Sequence, residues 1–211
     1  MKLHPKFVNY PIAKLFVKIV EMGLLSQISI ALGVTRRQVN ILMIGLDNSG
    51  KSTIINQMKA QNDQVTQVVS SIGCTVEKFI FNNTTFLIYD MSGQGKYRNL
   101  WENYYSEVDG VVFVIDSNDR LRLAVVRDEF RLLLDHKEFV RKKIPLLVFA
   151  NKMDEKGAMI TSEISLYIGL NLINNRNWHI SAICAITGEG LNDGFQWLLE
   201  NIRAYMESKN N

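Results

Sequence analysis

The sequence predicts an α/β fold in which a mostly parallel β-sheet lies between two layers of helices. From residue 39 onward, short apolar runs alternate with helical patterns, and four of the runs are almost continuously hydrophobic. Such runs are typical of strands buried on both faces of a parallel sheet, and the alternation is typical of an α/β three-layer sandwich. The 211 residues are enough for one domain of this kind.

The predicted strands are short runs rich in β-branched and aromatic residues. They are Val39–Ile44, Phe86–Tyr89, Gly110–Ile115, Ile144–Ala150 and Trp178–Ala182. A further run, Thr75–Phe81, instead alternates apolar and polar residues. The turn Asn82-Asn83 leads from it into Thr84–Asp90, so this pair predicts an antiparallel hairpin at the edge of the sheet.

The predicted helices lie between the strands. They are Lys51–Met58, Tyr97–Tyr105, Arg120–Leu134, Ser162–Ile168 and Leu191–Met206. In the last of these, apolar residues recur every three or four positions from Leu191 to Ile202, which predicts an amphipathic helix that covers one face of the sheet. Ligands bind such folds beyond the carboxyl ends of the strands, so functional residues are expected directly after strands.

A phosphate-binding loop is predicted after the first strand. The string GLDNSGKS (45–52) has the pattern G-x-x-x-x-G-K-S/T between a strand and a helix, which is the context that this motif requires. The backbone N–H groups of such a loop and the helix N-terminus bind phosphates, Lys51 contacts the outer phosphates, and the Ser52 hydroxyl can ligate Mg²⁺. The predicted nucleotide ligands here are Asp47, Asn48, Ser49, Gly50, Lys51, Ser52 and Thr53. A glycine-rich turn without a ligand is the alternative.

The identity of the base is predicted from Asn151-Lys152-Met153-Asp154, which directly follows a predicted strand. A buried carboxylate at Asp154 can accept hydrogen bonds from N1–H and the N2 amine of guanine, whereas adenine offers neither donor at that edge. Sites built on such hydrogen bonds discriminate strongly. We expect the aliphatic part of Lys152 to lie along the base and Asn151 to connect the loops. A solvated turn is the alternative.

A third motif, Asp90-Met91-Ser92-Gly93-Gln94, ends the second strand of the hairpin. Asp90 is predicted to hold Mg²⁺ through water, Gly93 to donate its N–H to the γ-phosphate, and Gln94 to orient the attacking water. An ordinary strand-to-helix turn is the alternative. Together the three motifs predict a Ras-like P-loop GTPase domain with GTP/GDP and Mg²⁺ as cofactors, in which Gln94 and Lys51 are the catalytic residues.

These motifs resemble those of the Arf family of small GTPases. The resemblance runs from Met22 to the end of the last helix and is carried by GLDNSGKS (45–52), SIG (71–73), DMSGQGKYRNLW (90–101), NKMD (151–154) and WHISAICAITGEGL (178–191). It implies that Ser71 stands in place of the switch threonine that ligates Mg²⁺. It also implies that Cys184 and Ala185 belong to the guanine-facing loop, where the Ala185 N–H meets the base oxygen.

The resemblance further implies protein partners. An exchange factor and a GTPase-activating protein would control the switch, and the run YRNLW after Gln94 is similar to that of members which recruit a ciliary coat, the BBSome. The coat would contact the region of Tyr97, Arg98 and Trp101. The resemblance thus implies a cytoplasmic, peripherally membrane-bound protein at the cilium base or the ciliary membrane. For Trp101, packing in the core of the following helix is the alternative.

Slow intrinsic hydrolysis is expected from two features. Residues 60–70 contain no arginine that could act in cis, and Asp47 places a carboxylate close to the phosphates. An arginine supplied by an activating protein accelerates such reactions by about 10³–10⁵. Two other classes remain as alternatives: a GTP-binding interaction module with negligible hydrolysis, against which Gln94 argues, and an ATP-dependent kinase, which has no use for Asn151–Asp154.

The net charge lies in the N-terminal segment. Residues 1–21 hold four lysines and one glutamate, whereas the rest of the chain holds 20 basic and 20 acidic residues. A neutral main body argues against nucleic-acid binding. We therefore divide the chain into a basic amphipathic extension (1–21), an amphipathic membrane-switch helix (22–36), the G domain (37–207) and a polar tail (208–211).

Two questions about the chain stay open at this point. Residues 1–21 fit a lipid-binding anchor, a targeting peptide, or the product of an upstream start codon without a role. The two cysteines, Cys74 and Cys184, form no C-x-x-C pair and lie far apart in the sequence, which favours free thiols in a reducing compartment over a disulfide or a zinc site.

Overall fold

The computed structural model describes residues 36–61 and 66–210. The chain divides into two compact units, Met1–Arg37 and Gln38–Asn211. The predicted extension (1–21) and nearly all of the predicted membrane-switch helix (22–36) lie outside the described residues. Within the described part of the chain, no helix is both long enough and apolar enough to cross a membrane.

A seven-stranded sheet forms the centre of the second unit. In chain order its strands are β1 (Arg37–Ile44), β2 (Thr66–Ser71), β3 (Cys74–Phe81), β4 (Thr84–Met91), β5 (Gly110–Asp116), β6 (Leu146–Asn151) and β7 (Trp178–Ala182). Their order across the sheet is β2-β3-β4-β1-β5-β6-β7. The pairs β1–β5, β5–β6 and β6–β7 are parallel, whereas β2–β3 and β3–β4 are antiparallel. The predicted mostly parallel sheet with an antiparallel edge is therefore confirmed.

The edge strand β2 was not predicted. It pairs with β3 and places Ser71 opposite Cys74, with an irregular register between Gln67 and Val69. An edge strand has a neighbour on one side only and is not obliged to be a continuous apolar run, so its hydrophobic pattern is weak. As a result, the predicted magnesium ligand Ser71 lies at the end of an edge strand.

Within residues 36–61 and 66–210, five α-helices cover the sheet. They are α1 (Lys51–Gln61), α2 (Leu123–Asp135), α3 (Lys137–Lys142), α4 (Thr161–Ile168) and α5 (Leu191–Asn210). Local interactions set their ends: α4 begins where the Ile160 N–H donates to the Glu163 carboxylate at 3.1 Å and ends at Gly169, whose φ is +80°. The short helix α3 was not predicted.

The predicted helix Tyr97–Tyr105 is instead a 3₁₀ helix over Gly95–Tyr104. Its turns are closed by bonds between residues three apart, as in the Tyr97 N–H to Gln94 carbonyl bond of 2.9 Å. Runs of 3₁₀ helix this long are uncommon and often mark functional hinges.

Two apolar clusters lie on opposite faces of the sheet and confirm the three-layer arrangement. Alternate residues of β1 divide between them, with Leu42 and Ile44 in one cluster and Ile41 and Met43 in the other. The predicted stripe of α5 is fully buried in the second cluster, and it consists of Leu191, Phe195, Leu198, Leu199 and Ile202. Burying each such side chain stabilises the fold by about 1.5–3 kcal/mol.

Candidate functional site

The predicted phosphate loop joins β1 to α1 and encloses the amine of Lys51. The Lys51 Nζ donates hydrogen bonds to the carbonyl oxygens of Gly45 at 3.0 Å and Leu46 at 2.8 Å. Desolvation by burial lowers the pKa of Lys51 to about 8. An ammonium group held in this way is a strong site for an anion, because the negative charge of a bound phosphate compensates for the hydration that burial removes.

The backbone of this loop requires its glycines and leaves one hydroxyl unpaired. Gly50 has a φ of +97°, and a Cβ there would lie 2.2 Å from Asn151 Nδ2. The Ser49 Oγ is buried and has no hydrogen-bond partner among the described residues. Both features fit a loop that closes around phosphate oxygens.

Asn151 connects the phosphate loop to the loop after β7. Its Nδ2 donates to the Ser49 carbonyl at 2.8 Å, and its Oδ1 accepts from the Ala185 N–H at 3.0 Å. The side chain is buried, so the expectation that Asn151 ties the loops together is confirmed. The Ala185 N–H was expected to meet the base oxygen; here it is bonded to Asn151 and must share or exchange that bond to reach a base.

The rest of the base-recognition motif lies at the carboxyl end of β6. The Lys152 Nζ lies 2.6 Å from Asp116 Oδ2 at the end of β5, and this ion pair fixes the loop across two neighbouring strands. Asp154 is exposed rather than buried as expected, because it lies in the turn three residues beyond the end of β6. Cys184 is buried as a packed free thiol, as predicted.

The three predicted magnesium ligands line one cavity of about 290 Å³, together with Lys51 and Gly93. The Ser52 hydroxyl donates to Asp90 Oδ2 at 2.7 Å, and burial raises the pKa of Asp90. The Ser71 hydroxyl instead donates to the Cys74 carbonyl at 3.2 Å. A carboxylate with hydroxyls beside a phosphate loop is the oxygen-only ligand set that Mg²⁺ prefers, so these residues fit the metal.

The segment after β4 packs directly on the phosphate loop. A Cβ at Gly93 would lie 2.1 Å from the backbone nitrogen of Asp47, so only glycine permits this approach. Arg98 holds the segment in place, since its Nε donates to the Gly93 carbonyl at 2.8 Å and its Nη1 lies 3.0 Å from Glu129 Oε1. Gln94, the predicted catalytic residue, is exposed beside them.

Trp101 does not belong to an exposed surface in this structure. It is 2% exposed, and its Nε1 donates to the Ser92 carbonyl at 3.1 Å. Its indole packs in the core cluster that also holds Phe113, so the core alternative is correct for this residue. Tyr97 and Arg98 are half-buried.

Sequence reasoning missed Arg122. Its Nη1 lies 3.0 Å from the Asp47 Oδ1 of the phosphate loop, and its Nε lies 2.5 Å from Asp119 Oδ2. The segment that contains Arg122 follows the carboxyl end of β5. The rule that places ligand-binding residues after strands could therefore have found it.

Comparison with known proteins decides the family. The chain matches the model of the ADP-ribosylation factor (Arf) family over residues 25–202. The chain belongs to the Arf family. This Arf-family protein is therefore a P-loop small GTPase, which binds guanine nucleotide and hydrolyses GTP.

Its relatives match it over nearly their whole length. The Danio rerio protein named ADP-ribosylation factor-like protein 6 is 48% identical over 183 residues, which is 87% of this chain and 98% of that relative. The Caenorhabditis elegans protein of the same name is 44% identical over 188 residues, 89% of this chain and 99% of that relative. Among solved structures, the Arl6 BBS3 small GTPase from Trypanosoma brucei, with bound nucleotide analogue GppNp, is similar with a TM-score of 0.71 and 38% identity, covering 80% of this chain and 99% of that chain.

Proposed function

We propose that this Arf-family protein is a switch that, with GTP bound, associates with the ciliary membrane and recruits a coat of the BBSome type. The observation that carries the proposal is its 44–48% identity to two proteins named ADP-ribosylation factor-like protein 6, across 98–99% of their length. The similar Trypanosoma brucei protein is named both Arl6 and BBS3, and its structure holds the nucleotide analogue GppNp.

The nucleotide would lie across the carboxyl ends of β1, β5 and β6. We assign the phosphates to the loop from Asp47 to Thr53, with Lys51 at the outer phosphates. We assign the guanine to Asp154, with Lys152 along the base and the loop of Cys184 and Ala185 at its oxygen. The exposed Asp154 carboxylate and the loop connection made by Asn151 support this placement.

The metal would be held by Ser52 and Asp90, joined by Ser71 when GTP is bound. Mg²⁺ neutralises charge on the phosphates in such sites. For Ser71 to join, its hydroxyl must leave the Cys74 carbonyl, to which it donates here at 3.2 Å. The end of the edge strand β2 would therefore move when the γ-phosphate binds. This movement would change the surface that contacts the coat according to which nucleotide is bound.

Hydrolysis would depend on Gln94 and on an arginine from an activating protein. Gln94 orients the attacking water in this assignment. The two arginines near the phosphate loop are engaged in ion pairs, Arg98 with Glu129 and Arg122 with Asp119. To stabilise the transition state of hydrolysis, either arginine would have to break its ion pair. This supports slow intrinsic hydrolysis of GTP. The Asp47 carboxylate contributes less to this slowness than the sequence suggested, because Arg122 neutralises it.

Retention of a purified BBSome on the immobilised full-length protein tests the proposal. The Gln94→Leu variant loaded with GTP should retain the coat, whereas the same variant loaded with GDP should not. Vesicle co-sedimentation of the full chain with a GTP analogue and with GDP tests the membrane step. Equal coat retention in both nucleotide states, or none with GTP, would show that the protein serves a different effector.

A further inference from the structure

A buried guanidinium lies at the end of the sheet opposite the nucleotide site. Arg176 comes just before β7 and Lys143 just before β6, whereas the nucleotide motifs follow the carboxyl ends of strands. Because β6 and β7 are parallel, their amino ends lie together at the other edge. Arg176 is only 8% exposed.

Arg176 has no acidic partner in the part of the chain that the structure describes. Its Nη2 donates to the Phe139 carbonyl at 2.9 Å, its Nε donates to Asn175 Oδ1 at 3.3 Å, and its guanidinium carbon lies 3.8 Å from the centre of the Phe139 ring. Its Nη1 is buried and finds no hydrogen-bond partner among the described residues. Burial lowers the pKa of Arg176 to about 10. A cation removed from water in this way is stabilised when an anion binds beside it.

A cavity of about 320 Å³ opens beside this guanidinium. Its lining contains Lys143, Tyr205, Ser208 and three asparagines, but no aspartate or glutamate among the described residues. The Tyr205 hydroxyl oxygen is also buried without a hydrogen-bond partner among those residues. Arg176 and Tyr205, each with a buried polar atom that has no partner among the described residues, therefore both line a cavity whose charged residues are all basic.

We propose that this cavity binds the phosphate group of a small phosphorylated ligand. A phosphate monoester carries nearly two negative charges and three acceptor oxygens, which match a guanidinium, an ammonium and hydroxyl donors better than a carboxylate does. Ligand sites have volumes of about 300–1,000 Å³, so this cavity also leaves room for part of the group that bears the phosphate. The ligand is either a soluble phosphate ester or the head group of a phospholipid.

Titration of the full-length protein tests this site. The protein is kept saturated with GDP and Mg²⁺ so that the phosphate loop is occupied, and glycerol 3-phosphate is added at constant ionic strength while backbone amide NMR shifts are recorded. We expect saturable shifts at residues 143, 144, 175–177 and 201–208. Sodium chloride at the same ionic strength should produce none.

Two variants separate binding from folding. Lys143→Asn removes a charge but keeps a residue that tolerates the left-handed backbone found there, where φ is +52°. Tyr205→Phe removes only the unpaired hydroxyl. Losing a charge-assisted bond should weaken binding about tenfold in Lys143→Asn. The control Lys137→Asn, at an exposed lysine that does not line the cavity, should bind as the wild type does.

The proposal is overturned if the ester gives no saturable shifts, or if Lys143→Asn and Tyr205→Phe both bind it as tightly as the wild type. If the ester does bind, the source of the phosphate is tested by co-sedimentation with phosphatidylcholine vesicles that contain or lack phosphatidic acid. Phosphatidic acid-dependent sedimentation that is weaker in Lys143→Asn than in Lys137→Asn supports a lipid head group. Equal sedimentation of the two variants supports a soluble ester.

Discussion

The guanidinium of Arg122 neutralises the Asp47 carboxylate of the phosphate loop. Its Nη1 lies 3.0 Å from Asp47 Oδ1, and its Nη2 donates to the Asp47 carbonyl at 3.2 Å. Arg98 approaches the same carboxylate oxygen at 3.8 Å from the 3₁₀ helix after β4. The phosphate loop is therefore linked to two segments that follow other strands, and a negative charge that would repel nucleotide is offset.

Arg122→Gln should accelerate GTP dissociation. The substitution exposes phosphates to the Asp47 charge, and since the ion pair is partly solvent-exposed we expect an effect of about two- to fivefold. A fluorescent GTP analogue measures the dissociation rate. Arg120→Gln is the matched control, because that exposed arginine pairs with Glu163 and not with the phosphate loop. Adding Asp47→Asn should restore the rate, and a double variant as fast as Arg122→Gln alone would contradict the electrostatic explanation.

Asp154→Asn should exchange guanine preference for xanthine preference. The amide offers a donor where the carboxylate accepted from guanine, and xanthine has a carbonyl oxygen in place of the N2 amine. Loss of such paired bonds changes discrimination by about 10² or more. Competition between GDP and xanthosine diphosphate measures it. Glu155→Gln, a neighbouring exposed acid that accepts from Asn118, should leave the preference unchanged. If Asp154→Asn still preferred guanine to xanthine nucleotides, the assignment of guanine to Asp154 would be wrong.

The sequence was most informative where burial or backbone geometry dictates residue type. The parallel strands were predicted because burial on both faces demands continuous apolar runs, as in the predicted run Ile144–Ala150 that contains most of β6. The phosphate loop and the Asn151 connection were predicted because few other residue types can adopt the loop's backbone conformation or bond the two loops as this side chain does. Each of these features carries a recognisable pattern at its own position in the sequence.

The features that were not predicted depend on contacts outside any recognisable motif. The edge strand β2 carries a weak pattern because only β3 pairs with it. Arg122 contacts Asp47 across 75 positions of the chain, so its place after β5 could have marked it as a candidate but could not have identified its partner. The burial of Trp101 depends on its bond to the Ser92 carbonyl and on packing across the sheet layer, so both of its predicted environments were compatible with the sequence.

Gln94→Leu should slow GTP hydrolysis without weakening GTP binding. The side chain is exposed and its role is assigned to positioning water, so its loss removes a transition-state interaction only. We expect a reduction of about 10-fold or more in single-turnover hydrolysis, measured by phosphate release. Lys96→Gln, an exposed neighbour, is the control. Hydrolysis at the wild-type rate in Gln94→Leu would exclude this residue from the reaction.

Asn151→Ala should destabilise the domain and release GDP faster. Removing the amide leaves the Ser49 carbonyl and the Ala185 N–H without their buried partner, which lowers the free energy of unfolding by about 2–4 kcal/mol. Urea denaturation of the GDP-bound protein measures this change. In the control Asn118→Ala, an exposed amide is lost and we expect little effect. Comparable stability of the two variants would mean that Asn151 does not connect the loops in solution.

His179 should make the stability of the domain fall on acidification. Its ring stacks on Trp197 with centroids 5.3 Å apart, and partial burial lowers the pKa of His179 below its ordinary value. The unfolded chain therefore binds a proton at His179 more readily than the folded protein does. Acidification thus lowers the free energy of unfolding: the full stability is present above about pH 6.5 and is lost as the pH falls toward the lowered pKa of the folded state. Denaturation midpoints measured on both sides of this window should differ less in His179→Gln than in the wild type. His136→Asn, which removes an imidazole elsewhere and keeps an acceptor for the first turn of α3, should retain the wild-type difference. A pH dependence unchanged in His179→Gln would place its origin in other groups.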